Sequence, residues 1–188
     1  MKLPNILTLC RLLGAPLFLW AFLTDTPTAR WVALGLVITF EATDLLDGFI
    51  ARRYQQISQL GKILDPLADS ISRFTVFLGF LALGYASVWA IALIFYRDSI
   101  VAFVRILAAS QGEIVAARLT GKIKAIVQGG AITTILTASC LRETLGMSIE
   151  EIQAKISQPL MWFVAGVTLL SLFDYVWGNR AAIKKLDA

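Results

Sequence analysis

Four aspartates set within apolar sequence are the feature that most constrains how this 188-residue chain can fold. They occupy the stretch Asp44-x-x-Asp47-Gly48-x-x-Ala51-Arg52, which is followed after eight residues by Gly61-x-x-x-Asp65-x-x-x-Asp69. A carboxylate in a hydrocarbon environment costs a few kcal/mol or more unless it has a partner. A divalent cation shared by all four carboxylates would offset that cost. The pattern therefore predicts a membrane protein built around a metal site.

The overall composition supports a membrane-embedded fold. Hydrophobic residues make up 57% of the chain and its mean hydropathy is +0.73, whereas soluble globular domains contain about 45–50% apolar residues. The length suits one domain, which we place over residues 1–188. Cys10 and Cys140 each lie in apolar sequence without a metal-binding cysteine spacing, so both are expected to be buried.

Histidine is absent from the sequence. This excludes histidine-ligated metals and catalytic sites that depend on a histidine base, such as the Ser-His-Asp triad. Any metal must then be bound through oxygen atoms, which favours Mg²⁺, Mn²⁺ or Ca²⁺ over the metals that prefer nitrogen or sulfur ligands.

The apolar segments predict an all-α integral membrane protein with six transmembrane helices. A transmembrane helix needs about 20 mostly apolar residues. Six segments meet this requirement, at approximately 5–24, 31–51, 65–85, 88–108, 124–141 and 159–178. Because the connections between most of them are short, consecutive helices should run in opposite directions through the membrane.

The positions of the basic residues predict the orientation of these helices. If the N-terminus is cytoplasmic, 12 of the 17 lysines and arginines fall on the cytoplasmic side. Arg30, Arg142 and Lys155 then fall outside, and Arg73 and Arg97 fall within the spans. Lysine and arginine are enriched on the cytoplasmic side of membrane proteins. Both termini and the aspartates are therefore predicted to face the cytoplasm, with the protein in the inner membrane.

The spacing of the aspartates predicts that they converge. Asp44 and Asp47 are three residues apart and Asp65 and Asp69 are four apart, so each pair shares one face of a helix. The polar segment 52–64 is expected to be the cytoplasmic turn that joins the two helices. All four carboxylates would then lie at the same depth.

The residues around the aspartates favour a phosphate-bearing ligand. Because Gly48 has no side chain and that of Ala51 is small, a ligand can approach the backbone on this helix face. Gly61 allows a close approach at the turn. Arg52 can bind a phosphate through two nitrogen atoms. Pro66 is expected in the first turn of the third helix, where its missing N–H is not needed.

These residues together resemble the signature of a known family. Every fixed position of the stretch from Asp44 to Asp69 matches the motif of the CDP-alcohol phosphatidyltransferases. The resemblance implies the CDP-alcohol phosphotransferase fold, a site for two Mg²⁺ or Mn²⁺ ions, a CDP-linked donor and a homodimer. It further implies that an alcohol attacks the donor pyrophosphate and that CMP is released.

The resemblance also implies roles for individual residues. Asp44, Asp47 and Asp65 would ligate metal, and Asp69 would both ligate metal and accept the proton of the attacking hydroxyl. The residues expected to contact the CDP group within the motif are Gly48, Arg52 and Gly61.

The start of the chain resembles one branch of the family, the phosphatidylglycerophosphate synthases. Asn5, Thr8 and Arg11 match the N-L-T-x-x-R pattern of that branch and form a polar stripe on the first helix. They are expected to contact the CDP donor. The alternative is that they form only the polar interfacial end of a helix.

A basic set after the motif is expected to bind the acceptor. The segment Gly121-Lys122-Ile123-Lys124-Ala125-x-x-Gln128 resembles the G-K-x-K-T-x-x-Q segment of the same branch, with alanine in place of threonine. The expected acceptor-phosphate residues are Arg97, Arg105, Lys122 and Lys124. For the lysines the alternative is cytoplasmic charge at the foot of a helix.

Three residues, Ser70, Asp98 and Asp174, leave alternatives open for the acceptor site. For Arg97 the alternative to an acceptor role is a structural pair with Asp98 or Asp174. Asp174 itself is expected either to pair with an arginine of another helix or to reach the membrane interface. Ser70 and Asp98 stand where many relatives have lysine and glutamate, so the choice of acceptor stays open.

The combined prediction is an enzyme that transfers a phosphatidyl group from CDP-diacylglycerol to sn-glycerol 3-phosphate and works among membrane lipids, with no nucleic-acid partner. One alternative is the same chemistry with inositol phosphate, serine or another alcohol as acceptor. A second alternative, from another class, is a cation-binding membrane transporter. The aspartates cluster at one depth and do not follow a path across the bilayer, which favours the enzyme.

Overall fold

The computed structural model describes most of the backbone and somewhat fewer side chains. The backbone is described for residues 3–54, 59–110 and 118–180, and side chains for 8–43, 68–104, 106–108 and 118–180. The helices are α1 (Leu3–Thr24), α2 (Pro27–Tyr54), α3 (Gln59–Ala82), α4 (Val88–Ser110), α5 (Leu119–Leu141), α6 (Ile149–Ile152) and α7 (Gln158–Gly178), with a π-helical segment, Gln153–Ser157, between the last two. Within the described ranges there is no β-strand, which confirms the all-α prediction.

The six long helices form a closed ring. Helix α1 packs against both α2 and α3, α2 packs against α5, and α5 packs against α7. Helix α7 packs against α4, and a looser contact between α4 and α3 closes the ring. At that looser contact the rings of Phe74 and Phe95 lie 5.0 Å apart between centroids. Residues on the inner faces of α1, α2, α3 and α5 are thereby brought together.

An aromatic cluster forms the core near the connections that follow α1, α3 and α5. The ring of Phe22 lies 5.5 Å from Phe18, 5.6 Å from Phe80 and 5.8 Å from Tyr85 between centroids. Tyr85 is fully buried, and its hydroxyl lies 3.1 Å from the hydroxyl of Ser139 on α5. Burial of several aromatic rings with this geometry is strongly stabilising, so this half of the bundle has a dense core.

Polar contacts connect the loop between α3 and α4 to the π-helical segment and to the start of α7. Gln153 donates from Nε2 to the carbonyl of Leu83 at 2.6 Å, and Gln158 donates to the carbonyl of Gly84 at 3.0 Å. Gly84 has a φ of +73°, a conformation that favours glycine. A Cβ there would also lie 2.9 Å from the Gln153 amide nitrogen, so a larger residue would both strain the backbone and displace the Gln153 side chain.

An ion-pair network closes the turn between α1 and α2. The Arg30 side chain is 1% exposed, and it donates from Nη2 to Glu143 Oε1 at 2.7 Å and from Nη1 to Asp25 Oδ1 at 3.3 Å. Arg142 Nη1 donates to Asp25 Oδ2 at 3.0 Å. Residues before α2 and after α5 are thus joined, at the end of the bundle opposite the aspartate motif.

The exterior of the bundle is apolar. Trp20, Trp89, Phe103, Ile126 and Phe173 lie on four different helices, and each is more than 60% exposed. Soluble proteins rarely expose apolar surface of this extent. The exterior therefore indicates a membrane protein.

Length and hydropathy alone support two membrane spans among the described residues. These are Leu119–Leu141, with a mean hydropathy of 1.3, and the continuous helical segment Ile149–Gly178, with 1.6. Thr8–Thr24 is a shorter apolar helix. Because a buried helix of a soluble protein can meet the same criterion, the number of spans and their orientation stay predictions.

Three local predictions are wrong. The turn expected over 52–64 is shorter, because α2 continues to Tyr54 and α3 already begins at Gln59. Pro66 therefore lies within α3 and not in its first turn. Cys10 is exposed on α1, whereas Cys140 is buried as expected; an apolar exterior accommodates a thiol without a polar partner.

We predict that Arg30→Gln lowers the stability of the fold. The substitution removes charged hydrogen bonds to Glu143 and Asp25 from a buried position, which should cost about 2 kcal/mol of unfolding free energy. The unfolding midpoint in detergent measures this loss. Arg142→Gln, at a more exposed position of the same network, is the matched control and should have a smaller effect. Equal midpoints for Arg30→Gln and the unsubstituted protein would contradict the assignment.

Candidate active site

A cleft opens between α1, α2, α3 and α5. The residues that line it are Arg11, Val37, Phe40, Glu41, Asp69, Ser72, Arg73, Val76 and Ile132. Two guanidinium groups and two carboxylates thus meet against apolar walls, an arrangement suited to a ligand that is both charged and lipophilic.

Asp69 is the one member of the aspartate motif whose side chain the structure describes. Its side chain is 43% exposed and lies in the cleft. Arg73, one helical turn later on α3, donates from Nη2 to Asp69 Oδ1 at 2.8 Å. Among the described residues, the hydrogen bonds to Asp69 engage Oδ1 and none engages Oδ2. The two oxygens of this carboxylate are therefore in different environments.

Arg73 connects three helices. Its side chain is 13% exposed, and Nη2 lies 3.9 Å from Glu41 Oε1 on α2. Nη1 lies 3.5 Å from Gln128 Oε1 and 3.5 Å from the carbonyl oxygen of Ala125, both on α5. Gln128 is fully buried, and its Nε2 lies 3.5 Å from Thr168 Oγ1 on α7. Asp69, the predicted base, is thereby connected through Arg73 and Gln128 to Thr168 on α7.

The side chains of the other predicted metal ligands, Asp44, Asp47 and Asp65, lie outside the described residues. Among the side chains that are described, no group of three or more Asp, Glu, Cys or His could hold a metal ion. The chemistry of the donor set nevertheless fits the implied metals, because all four predicted ligands are carboxylates and Mg²⁺ and Mn²⁺ prefer oxygen.

The helix bounds place the aspartates at matching distances from the connection between α2 and α3. Asp44 lies ten residues before Tyr54, and Asp69 lies ten residues after Gln59. Asp47 lies seven residues from the first helix end, and Asp65 lies six residues from the second. At about 1.5 Å per residue, Asp44 therefore lies at about the same depth as Asp69, and Asp47 within about 1.5 Å of the depth of Asp65.

The predicted donor residues are described in part. Thr8 and Arg11 are both buried on α1, and Arg11 lines the cleft together with Asp69. Thr8 is not among the lining residues. The remaining predicted donor residues lie outside the described side chains: Asn5, Gly48, Arg52 and Gly61.

Two of the four predicted acceptor residues meet at one carboxylate. Lys124 Nζ lies 2.6 Å and 2.7 Å from the two oxygens of Asp98. Arg97 Nη1 donates to Asp98 Oδ1 at 3.0 Å, and Arg97 Nη2 donates to Ser171 Oγ at 2.7 Å. Both cationic side chains are buried. The structural pair considered for Arg97 is thus present, and this trio carries one net positive charge.

The trio of Arg97, Asp98 and Lys124, which includes two predicted acceptor residues, lies near the cleft. The carbonyl oxygen of Ala125, the residue after Lys124, lies 3.5 Å from Nη1 of Arg73, which lines the cleft. Lys122 is exposed on the same helix. The side chain of Arg105 lies outside the described residues.

Asp174 fixes the start of α5 to the end of α7. It accepts hydrogen bonds from Arg118 Nε at 2.7 Å and from Thr120 Oγ1 at 2.6 Å. The pairing with an arginine from another part of the chain is therefore observed. The Arg118 guanidinium also lies directly against Gly178, where any Cβ would collide with it.

Comparison with known proteins identifies the family. The model of the CDP-alcohol phosphatidyltransferase family matches residues 1–173, which include the whole aspartate motif. The chain belongs to the CDP-alcohol phosphatidyltransferase family. It is therefore a transferase of phospholipid biosynthesis, from a family that generally depends on divalent metals.

Individual relatives of this phosphatidyltransferase carry two names. A protein of Bacillus subtilis (strain 168) named CDP-diacylglycerol–glycerol-3-phosphate 3-phosphatidyltransferase is 28% identical, with 97% of each chain covered. A Treponema pallidum protein of the same name is 32% identical over 78% of this chain and 70% of its own. A Streptomyces coelicolor protein named cardiolipin synthase (CMP-forming) is 35% identical over 53% of this chain and 47% of its own.

Two charged residues of the phosphatidyltransferase cleft were not among the predicted site residues. Arg73 stands four residues after Asp69 inside an apolar segment, where a charged residue calls for a partner one turn away. Glu41 stands three residues before Asp44. In both cases the helical spacing from a motif aspartate was the signal that could have identified them.

We predict that Asp98→Asn destabilises this phosphatidyltransferase. The substitution removes the negative charge that two buried cations share, which should cost about 1–3 kcal/mol. The shift of the unfolding midpoint measures the loss. Asp98→Glu keeps the charge and should be tolerated much better. A midpoint for Asp98→Asn equal to that of Asp98→Glu would contradict the shared-charge interpretation.

Proposed function

We propose that this phosphatidyltransferase transfers the phosphatidyl group from CDP-diacylglycerol to sn-glycerol 3-phosphate, giving phosphatidylglycerophosphate and CMP. The observation that carries the proposal is the alignment over 97% of both chains with a relative named for that reaction. The cleft supports it, because Arg11 offers a guanidinium group, a preferred partner of phosphate, in the same cleft as the Asp69 carboxylate.

The reaction exchanges one phosphorus–oxygen bond for another. An acceptor hydroxyl oxygen forms a bond to the phosphorus that carries the diacylglycerol. The bond from that phosphorus to the bridging pyrophosphate oxygen breaks, and CMP leaves with the bonding electrons. Asp69 accepts the hydroxyl proton, a role for which its partly exposed position in the cleft is suitable.

Two divalent cations, Mg²⁺ or Mn²⁺, complete the proposed site. The ligands would be Asp44, Asp47, Asp65 and Asp69. When bound, the ions neutralise pyrophosphate charge and stabilise the leaving CMP. Phosphoryl transfer depends mainly on positioning and charge neutralisation, so the chain contributes chiefly by holding its ligands at one depth.

The donor and acceptor are proposed to bind on either side of the metals. The CDP group would contact Asn5, Thr8, Arg11, Gly48, Arg52 and Gly61. The acceptor phosphate would contact Arg97, Arg105, Lys122 and Lys124. The position of Arg11 in the cleft supports the first assignment, and the contact of Ala125, the residue after Lys124, with Arg73 of the cleft supports the second.

The enzyme is proposed to be a single domain over residues 1–188 that crosses the inner membrane six times and forms a homodimer. Each of the six long helices has at least 21 residues. At 1.5 Å per residue this is about 31 Å, the thickness of a bilayer core. The distribution of basic residues supports cytoplasmic termini and a cytoplasmic active site, and family resemblance supports the dimer.

An acceptor panel tests the proposal. Purified enzyme should release CMP from CDP-diacylglycerol only with Mg²⁺ or Mn²⁺ and an acceptor, fastest with glycerol 3-phosphate among glycerol 3-phosphate, inositol 3-phosphate, serine and glycerol. A faster rate with another acceptor would overturn the choice of acceptor. Metal uptake into proteoliposomes without any CMP release would favour the transporter alternative.

We predict different consequences for Asp44→Asn and Asp69→Asn. Asp44→Asn should abolish turnover and weaken donor binding, because a metal ligand is lost. Asp69→Asn should lower turnover by about a hundredfold or more through loss of the base and leave donor binding largely intact. CMP release and binding of CDP-diacylglycerol measure the two effects. Equal losses of donor binding would contradict this division of roles.

We predict that Lys122→Ala raises the KM for the acceptor about fivefold, equivalent to ~1 kcal/mol, and the KM for the donor less. Its unfolding midpoint should not change, because Lys122 is exposed. Lys124→Gln should raise the acceptor KM and also lower the midpoint, because it breaks a buried pair with Asp98. Arg105→Ala should also raise the acceptor KM more than the donor KM. A larger rise in donor KM for Lys122→Ala would contradict the acceptor assignment.

A further inference from the structure

Arg73 contacts the proposed base but belongs to none of the sequence motifs. Its guanidinium is largely buried and lies between α2, α3 and α5. A guanidinium in an apolar bundle needs a carboxylate partner, and Asp69 alone would meet that need. The additional contacts on α2 and α5 therefore fix where the guanidinium lies and in which direction it points.

The two terminal nitrogens of Arg73 have different partners. Nη2 donates to Asp69 Oδ1 at 2.8 Å and lies 3.9 Å from Glu41 Oε1. Nη1 is directed to the Gln128 side-chain oxygen and the Ala125 carbonyl, each at 3.5 Å. Because the guanidinium is planar and rigid, contacts on the Nη1 side determine the direction from which Nη2 reaches Asp69.

Gln128 is well placed to hold Arg73 in this orientation. Its side chain is fully buried on α5, with its oxygen toward Arg73 and its amide nitrogen 3.5 Å from Thr168 Oγ1. Both ends of the amide are therefore engaged. A continuous chain of polar groups runs from Thr168 on α7 through Gln128 and Arg73 to Asp69 on α3.

We propose that Arg73 is a positioning residue for the transfer reaction. By holding Oδ1 of Asp69, it presents Oδ2 to the acceptor hydroxyl. A partly exposed aspartate would otherwise sample several rotamers, and restriction to the productive one raises the rate of a correctly bound complex. The inference rests on the proposed function, since it assigns Arg73 a task within that reaction.

A purely structural role for Arg73 makes different predictions. If Arg73 only neutralised charge between helices, its loss would destabilise the bundle, and kcat in folded molecules would be unchanged or would fall only in parallel with metal binding. If Arg73 positions Asp69, its loss lowers kcat in folded molecules. Removal of a cation does not weaken the attraction of the carboxylates for a divalent metal, so metal binding should survive.

The test compares Arg73→Gln and Arg73→Lys with Arg30→Gln, which removes a buried arginine at the opposite end of the bundle. For each variant we would measure kcat, both KM values, the unfolding midpoint and, without substrates, the dissociation constant of Mn²⁺ by electron paramagnetic resonance. Arg73→Gln should lose at least tenfold in kcat, with both KM values and the Mn²⁺ constant within threefold of the unsubstituted enzyme. Arg73→Lys should recover part of kcat, since it keeps the charge but not the planar group.

The control separates positioning from stability. Arg30→Gln should lower the unfolding midpoint and leave kcat per folded molecule unchanged. A kcat for Arg73→Gln within twofold of the unsubstituted enzyme would overturn the proposal, as would loss of Mn²⁺ binding in parallel with kcat. If the unsubstituted enzyme fails to transfer to glycerol 3-phosphate, the proposed function fails instead, and the kcat comparison is made with the acceptor that it does use.

Discussion

Charge pairing inside an apolar bundle is the constraint on which the described structure depends. Arg30, Arg73, Arg97 and Lys124 are each largely buried, and each contacts at least one carboxylate. Removal of a partner from a buried ion pair costs several kcal/mol, whereas the intact pair contributes little net stability. These pairs therefore mainly determine how the helices are placed against one another. The burial of the aromatic and aliphatic core provides most of the stabilisation.

The two ends of the bundle use this constraint differently. At one end, Asp25, Arg30, Arg142 and Glu143 pair with one another between two turns, next to the aromatic core, so their charges are already satisfied. In the cleft, the carboxylate of Asp69 has one oxygen engaged by Arg73 and remains partly exposed. The end with the paired charges therefore suits a structural role, and the cleft, with its partly exposed carboxylate, suits the proposed chemistry.

The two helices that carry the aspartates could be predicted from sequence, because the pattern of residues within one helix is local information. Spacing within one helix determines which side chains share a face, and apolar length determines that helices form. The beginning of α3 was missed because residues 59–64 contain good helix formers, which extend the helix beyond the apolar segment. The role of Arg73 could not be predicted, because its contacts with Glu41 and Gln128 depend on how three helices are rotated against each other.

The same charge pairing limits how strongly the predicted acceptor residues Arg97 and Lys124 can attract a phosphate. Arg97 and Lys124 share the charge of Asp98, so the trio presents only one net positive charge. A phosphate that approached Lys124 would compete with a carboxylate already bound at 2.6 Å. Strong preference for a phosphorylated acceptor over an uncharged one therefore needs a cation that Asp98 does not neutralise. Among the predicted acceptor residues whose side chains are described, Lys122 meets this condition; it is exposed half a turn before Lys124 on α5.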